Sequence, residues 1–236
     1  MPDLVDVVPA RALAVYAHPD DPEVSCGGTL ARWAAAGAEV HVVVVGQGDK
    51  GSSDPAADPA ALAQRRAAEA AAAAAVLGLA GHQLLGIPDG EVDNTAELRR
   101  ALVGIVRDIR PEIVVCPDPT AVFFGRRYFN HRDHRELGWA TLDAVAPAAA
   151  SPHYFPDAGA AHQVEAVYLS GTLEPDAWID ISDAVDRKAE ALMCHESQLG
   201  EPGEWLRQVV RQRAEEAGRQ AGVDYAEGFR LLRLVD

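Results

Sequence analysis

The apolar run 11–17, Arg-Ala-Leu-Ala-Val-Tyr-Ala, stops at His18-Pro19-Asp20-Asp21, and a glycine pair, Gly27-Gly28, precedes a helical pattern from Thr29. A short continuous apolar run bounded by turn residues reads as a strand buried on both faces, and such strands belong to parallel sheets covered by helices. The polar cluster therefore stands where a strand ends and a helix begins, which is where open α/β sheets place their ligands.

The alternation continues downstream. The pattern predicts a helix over 28–36 stopped by Gly37, a β-branched strand over 39–45, a loop over 46–59, and an Ala-rich helix over 60–77 stopped by Gly78. Alanine is the strongest helix former. A short strand at 82–85, a turn at 87–90, a helix at 95–109 with a capped start at Thr95, and a strand at 112–116 follow. After a loop over 117–130 the pattern predicts a helix at 134–145, an irregular stretch at 148–161, and strands at 164–169 and 178–181. A helix at 182–193 capped by Ser182, a charged amphipathic helix at 204–220 and a last extended segment at 225–234 close the chain. Trp33 and Trp139 fall in helices and read as core. Strand–helix alternation requires right-handed crossovers. The expected fold is α/β: a Rossmann-like, mainly parallel sheet with helices on both faces, as a single domain over 1–236. A chain of 236 residues can bury a sizeable core, and no Pro/Gly/Ser-rich linker divides it.

A net charge of −15 argues against nucleic acid and anionic membrane as main partners. No apolar segment approaches spanning length, and no basic segment followed by an apolar one marks a signal peptide, so no membrane insertion is expected. Cys26, Cys116 and Cys194 are scattered and odd in number, which points to free thiols in a reducing cytoplasm. Apolar helices in the last third leave room for a homo-oligomer.

A second polar cluster, Asn130-His131-Arg132-Asp133-His134, lies far downstream. His18 and Asp21, three apart in a turn, and His134 from another strand end give two imidazoles and a carboxylate, which suits zinc with an open position for water; iron(II) is the alternative. Zinc lowers the pKa of its water to about 7. Asp20, beside the ligands but not one of them, reads as general base. His131 as an imidazolium would stabilise an oxyanion, and Asp133 would orient it. The structural alternative makes the Asp pair a helix cap and the two histidines surface residues.

These residues resemble the LmbE-like, or PIG-L, family of zinc-dependent N-deacetylases, whose pattern is an A-H-P-D-D opening and a later H-x-D-H. Here these are residues 17–21 and 131–134. Further matches, in order, are Cys26-Gly27-Gly28-Thr29, Arg66 with Glu69, Leu85-Gly86 with Asp89-Gly90, Arg110-Pro111, His195-Glu196-Ser197-Gln198, and Phe229 after Ala226-Glu227. The resemblance implies a Rossmann-like sheet, His18, Asp21 and His134 as zinc ligands, Asp20 as base and His131 at the oxyanion. It implies substrate contacts at Arg65 or Arg66, with Arg66 favoured, and at Asp89. Two departures stand out. Many members carry glutamate directly after the Asp pair, whereas here Pro22 intervenes before Glu23. Some carry tyrosine two residues before the first histidine of H-x-D-H, whereas here Phe129 holds that place with Tyr128 beside it.

Family substrates are mostly N-acyl glucosamine derivatives, so a small amino-sugar amide is the expected partner. The loops at 46–58, with Lys50-Gly51, and 117–129, with Arg126-Arg127, are placed to shape its pocket. His195 either faces that pocket or caps its helix. Two other readings compete: an amidase acting on a bulkier conjugate, and a non-catalytic sugar- or nucleotide-binding module. The module lacks the third glycine of G-x-G-x-x-G.

Overall fold

The buried apolar runs form the centre of one sheet. A computed structural model describes residues 3–200 and 203–235; residues 1, 2, 201, 202 and 236 of the expected domain lie outside it. The elements are β1 (Asp3–Leu4), β2 (Arg11–Tyr16), α1 (Asp21–Ala35), β3 (Glu39–Gly46), α2 (Pro59–Leu77), β4 (Gly81–Ile87), α3 (Ala96–Ile109) and β5 (Ile113–Pro117). A small hairpin, β6 (Phe123–Phe124) and β7 (Tyr128–Phe129), precedes α4 (Arg132–Asp143) and a π-helical turn (Ala144–Ala149). Then come β8 (Ala166–Ser170), β9 (Ala177–Asp180), α5 (Val185–Leu192), α6 (Glu196–Leu199), α7 (Glu204–Ala221) and β10 (Ala226–Arg233).

The eight-stranded sheet runs β4-β3-β2-β5-β8-β10-β9-β1. Strands β4 to β8 of that order are mutually parallel, β10 is antiparallel to both its neighbours, and β1 is parallel to β9. Successive side chains point to opposite faces. Ala12, Ala14, Tyr16, Val42 and Val44 therefore pack with Leu30, Trp33, Leu77 and Val210 on one face. Leu13, Val15, Val43 and Val45 pack with Leu102, Val106 and Leu137 on the other. From β2 the chain winds outward through β3 and β4, then returns through α3 to β5 on the other side of β2. The carboxyl ends of β2 and β5 thus flank a topological switch point, where a crevice opens.

The first helix differs from the expected one. It begins at Asp21, with Pro22 in its first turn, and kinks at Cys26 (φ −145°, ψ 20°), so the glycines lie inside it rather than before it. The kink frees the N–H groups of Gly28 and Thr29, which donate to the two Glu227 carboxylate oxygens at 3.0 and 2.8 Å. Lys188 Nζ pairs with Glu227 at 2.6 Å. A Cβ on Gly28 would stand 2.6 Å from Ile181 Cδ1, so glycine is what lets this helix lie so close to the sheet. The expected Ser182 cap does not form. α5 starts only at Val185, and Ser182 Oγ donates instead to Asp180 Oδ1 at 2.6 Å. Trp33 is buried as expected, whereas Trp139 is exposed on α4. No described helix is long and apolar enough to cross a membrane.

Candidate active site

His18 follows the last residue of β2 by two positions, and its backbone N–H donates to Asp21 Oδ2 at 2.7 Å. That bond turns the Asp21 carboxylate back toward the histidine. Asp20 occupies the helix N-cap position but makes no side-chain cap bond. The two carboxylates are therefore not used to cap the helix, which removes the purely structural account of the motif.

His134 enters from α4. Its Nε2 lies 3.1 Å from His18 Nδ1 and 3.2 Å from Asp21 Oδ2, and the third edge, His18 Nδ1 to Asp21 Oδ2, is 3.3 Å. A tetrahedral ion with ligand bonds of about 2.0–2.1 Å sets its donors about 3.3–3.4 Å apart. The triangle fits a divalent cation. His134 Nδ1 faces Asn130 Oδ1 at 2.9 Å, and Asn130 Nδ2 in turn donates to the Ala121 carbonyl at 3.0 Å. His18 Nε2 faces Asp133 Oδ2 at 3.3 Å. Each histidine thus has its outward nitrogen oriented by an oxygen, the usual support for metal-binding imidazoles. His18, His131 and Asp133 form a second converging group. Its donors are already engaged: Asp133 Oδ2 accepts from Gly90 N–H at 2.6 Å, and His131 Nδ1 accepts from Asp133 N–H at 3.2 Å.

Charge follows the geometry. Burial works against a charge on His18, but Asp133 and Asp21 outweigh it and raise its pKa to about 10. Burial likewise opposes ionisation of Asp21, yet His134 and His18 hold it far below the usual carboxylate range. Without metal the cluster is held by imidazolium–carboxylate pairing. Burial, then the charge of His18, pushes His131 below the ordinary histidine value. The Asp133 N–H accepted at Nδ1 leaves Nε2 as the ring nitrogen free to meet a substrate. Asp133 Oδ2 is 3.8 Å from His131 Nδ1 and closer to His18, so its orienting contact falls mainly on His18.

These side chains border a cavity of about 460 Å³ whose walls include Asp20, Lys50, Gly51, Arg66, Asp89, Tyr128, His131 and Gln198. Arg66, on the Ala-rich α2, is buried; its Nη2 donates to Asp20 Oδ1 at 2.8 Å and its Nη1 to the Gly48 carbonyl at 3.3 Å. Arg65 is exposed and pairs with Glu69 at 3.0 Å. Asp89 accepts from Gly48 N–H at 2.8 Å, and Asp49 accepts from Asp89 N–H at 2.9 Å, so this turn organises the 46–51 loop as well as lining the cavity. Tyr128, not Phe129, reaches the site; Phe129 points outward. Arg126 and Arg127, in the turn of the hairpin, line none of the described cavities. Glu23 and His195 are both buried and meet at 3.1 Å, and burial pushes the Glu23 carboxyl up. His195 neither faces the cavity nor caps α6. Cys26 is buried with its thiol pushed up by that burial, which leaves it inert. Asn130 and Gln198 are site residues to which the sequence assigns no role. The first is four residues before His134 on the entry to α4, and the second belongs to a motif whose place could be seen only after folding.

A parallel core whose switch point gathers two imidazoles, a carboxylate and a second, unligated carboxylate is the plan of a metal-dependent α/β hydrolase. The β2–α1 turn has no dinucleotide-binding glycine pattern to suggest otherwise. Residues 13–145 match the PIG-L family, GlcNAc-PI de-N-acetylase, and the chain belongs to that family. It is 32% identical over 226 residues to the diacetylchitobiose deacetylase of Thermococcus kodakarensis, covering 94% of this chain and 83% of the relative. It is 31% identical to a 1D-myo-inositol 2-acetamido-2-deoxy-alpha-D-glucopyranoside deacetylase of Rhodococcus jostii, covering 80% and 82% of the two chains. The solved N,N'-diacetylchitobiose deacetylase of Pyrococcus horikoshii superimposes with a TM-score of 0.86 at 29% identity, over 95% of this chain and 84% of that one.

Proposed function

We propose that this protein is a zinc-dependent N-deacetylase that removes the acetyl group from a small N-acetylglucosamine-containing molecule, and that 1–236 is one catalytic domain. The observation that carries the reading is the donor triangle of His18, Asp21 and His134, with edges of 3.1–3.3 Å, beside an unligated Asp20. Two neutral-capable imidazoles and one carboxylate suit zinc, with iron(II) second. When bound, the ion supplies Lewis acidity toward the amide carbonyl and acidifies a water. Three unlinked thiols support the cytoplasm as its compartment.

The protein's own groups do the rest. Asp20 Oδ accepts one proton of the attacking water and returns it to the departing amine nitrogen, so that amide and water become a free amine and acetic acid, which leaves as acetate and a proton. Arg66 fixes Asp20 in place through the 2.8 Å contact. His131, its Nδ1 occupied by the Asp133 N–H, donates from Nε2 to the carbonyl oxygen as negative charge develops there. The sugar occupies the cavity walled by Arg66, Asp89 and Gln198.

The test is acetate release from a panel of N-acetylglucosamine glycosides by metal-stripped protein, with and without zinc, alongside Asp20→Asn. Zinc-restored turnover that falls by about 10²–10⁴ in the variant, with zinc content unchanged, supports the assignment. Turnover equal in the variant removes Asp20 as base. No acetate from any amide at one zinc per chain removes the deacetylase reading.

A further inference from the structure

The cavity side chains suggested by sequence for holding a sugar are already engaged. Arg66 bonds Asp20 and the Gly48 carbonyl; Asp89 takes Gly48 N–H; Lys50 Nζ donates to the Asp89 carbonyl at 2.7 Å and pairs with Glu91 at 2.9 Å. Gln198 is different. Its amide borders the same cavity, and its one side-chain bond is from Nε2 to the neighbouring Ser197 Oγ at 3.2 Å.

Gln198 is also held with unusual care for a residue on a four-residue helix. Ser197 gives both its N–H and its hydroxyl to the two oxygens of Glu69 on α2, at 2.8 and 2.5 Å. His195, fully buried, meets Glu23 on α1 at 3.1 Å. The Gln198 N–H donates to the His195 carbonyl at 3.1 Å. Segment 195–198 is therefore strapped to α1 and α2 across 172 and 128 residues of sequence. One buried and one half-buried polar clamp are more than is needed to terminate α5, and the cavity side chain they fix is Gln198.

We propose that Gln198 is a substrate-contacting, specificity-determining residue that reads hydroxyl groups of the amino sugar, with Ser197, Glu69, His195 and Glu23 as its positioning residues. This rests on the amino-sugar reading above. A carboxamide offers an acceptor oxygen and a spare N–H on one plane, which matches a hydroxyl pair on a pyranose ring. Being neutral, it does so without disturbing the Arg66–Asp20 pair. This also gives His195-Glu196-Ser197-Gln198, a motif left without a role so far, a purpose in the site.

The experiment is steady-state deacetylation of the methyl glycoside of N-acetylglucosamine and its 3-, 4- and 6-deoxy analogues, with glucosamine binding followed by calorimetry. Gln198→Ala should raise KM and weaken glucosamine binding about 3–10-fold while kcat stays within about twofold. One deoxy analogue should show the same KM rise on the parent protein and no further rise on the variant. Glu69→Gln should give a smaller rise with the same analogue pattern. If the parent turns over the glycoside and Gln198→Ala leaves KM and the analogue pattern unchanged, even with a lower Tm, the inference fails and the deacetylase reading stands. If no glycoside is turned over but glucosamine binds in a Gln198-dependent way, the contact stands and deacetylation falls. If glucosamine neither binds nor reacts as a glycoside, both fall together.

Discussion

Two polar clusters, one buried and one half-buried, sit at opposite ends of the same parallel strands. At the amino ends of β5 and β8, Arg107 gives every guanidinium nitrogen to backbone carbonyls, those of Ala148, Ala149, Ser151, Tyr154, Phe155 and Gly159, at 2.8–3.2 Å. At the carboxyl ends of β2 and β5, three ligand atoms converge on one another at 3.1–3.3 Å, while Asp133 Oδ1 and Arg66 Nε are buried without a partner. The first cluster is complete in itself and stitches an otherwise irregular segment into the fold. The second could hold a cation at its three converging ligand atoms and keeps two buried polar atoms unpaired, the pattern of a chemical rather than a structural cluster.

The sharpest way to break this contrast is to remove one member of each cluster. Arg107→Met leaves six carbonyls without their donor and should cost about 3–4 kcal/mol, lowering Tm by roughly 10 °C, while turnover per folded molecule stays within about twofold. His134→Ala should abolish stoichiometric zinc binding and activity, yet move the Tm of the metal-free protein by less than about 3 °C. Differential scanning fluorimetry with metal analysis checks both. Equal loss of stability in the two variants would dissolve the distinction.

A smaller effect sharpens it. Asn130 touches His134 but does not line the site cavity, so Asn130→Ala should weaken zinc affinity about 10–100-fold and leave metal-saturated kcat largely intact. Proton competition supplies a further readout. The His18 pKa is raised from 6.5 to about 10 in the metal-free protein, so its protonated form stabilises that state below about pH 6.5 and the contribution is lost as pH rises through about 10. Zinc requires the neutral ring, so binding expels a proton across the whole of that window. The Tm gain on adding zinc should therefore grow from about pH 6 to about pH 8. A gain that is flat with pH would show that His18 is not a ligand in competition with protons.

The two clusters also differ in how far sequence exposes them. His18, Asp21 and His134 are legible because ligand types and a strand-end position are local features, and the parallel core is legible because 11–17 and 39–45 are continuous apolar runs. The kink at Cys26 is not, since it answers to Glu227 and Ile181 from distant strands. Arg107 and Arg66 look alike in sequence, each an arginine on a helix. One is consumed by backbone carbonyls and the other by Asp20, and only the packed chain tells them apart. Ser182 shows the converse: a good local cap signal overruled by Asp180, two residues away and better placed to bind it. The downward shift of the His131 pKa comes from partial desolvation and from His18, neither visible along the chain.

The smallest expected effect tests whether the open cluster extends to the wall that faces it. A Cβ on Gly51 would stand 2.7 Å from both Arg66 Nη1 and Gln198 Oε1. Gly51 is not among the glycines with positive φ, so Gly51→Ala adds no backbone strain. The new methyl must displace the ends of two flexible side chains, which yield at modest cost. Tm should stay within about 2 °C, as for a surface change. Both ends must shift, and because Arg66 is tethered to Asp20 at 2.8 Å the larger displacement falls on Gln198. The variant should raise KM for the N-acetylglucosamine glycoside about threefold and, combined with Gln198→Ala, add little to that single change. Full additivity of the two would place Gly51 and Gln198 in separate parts of the cavity. A fall in kcat of tenfold or more would mean that Arg66 took the larger shift and carried Asp20 with it.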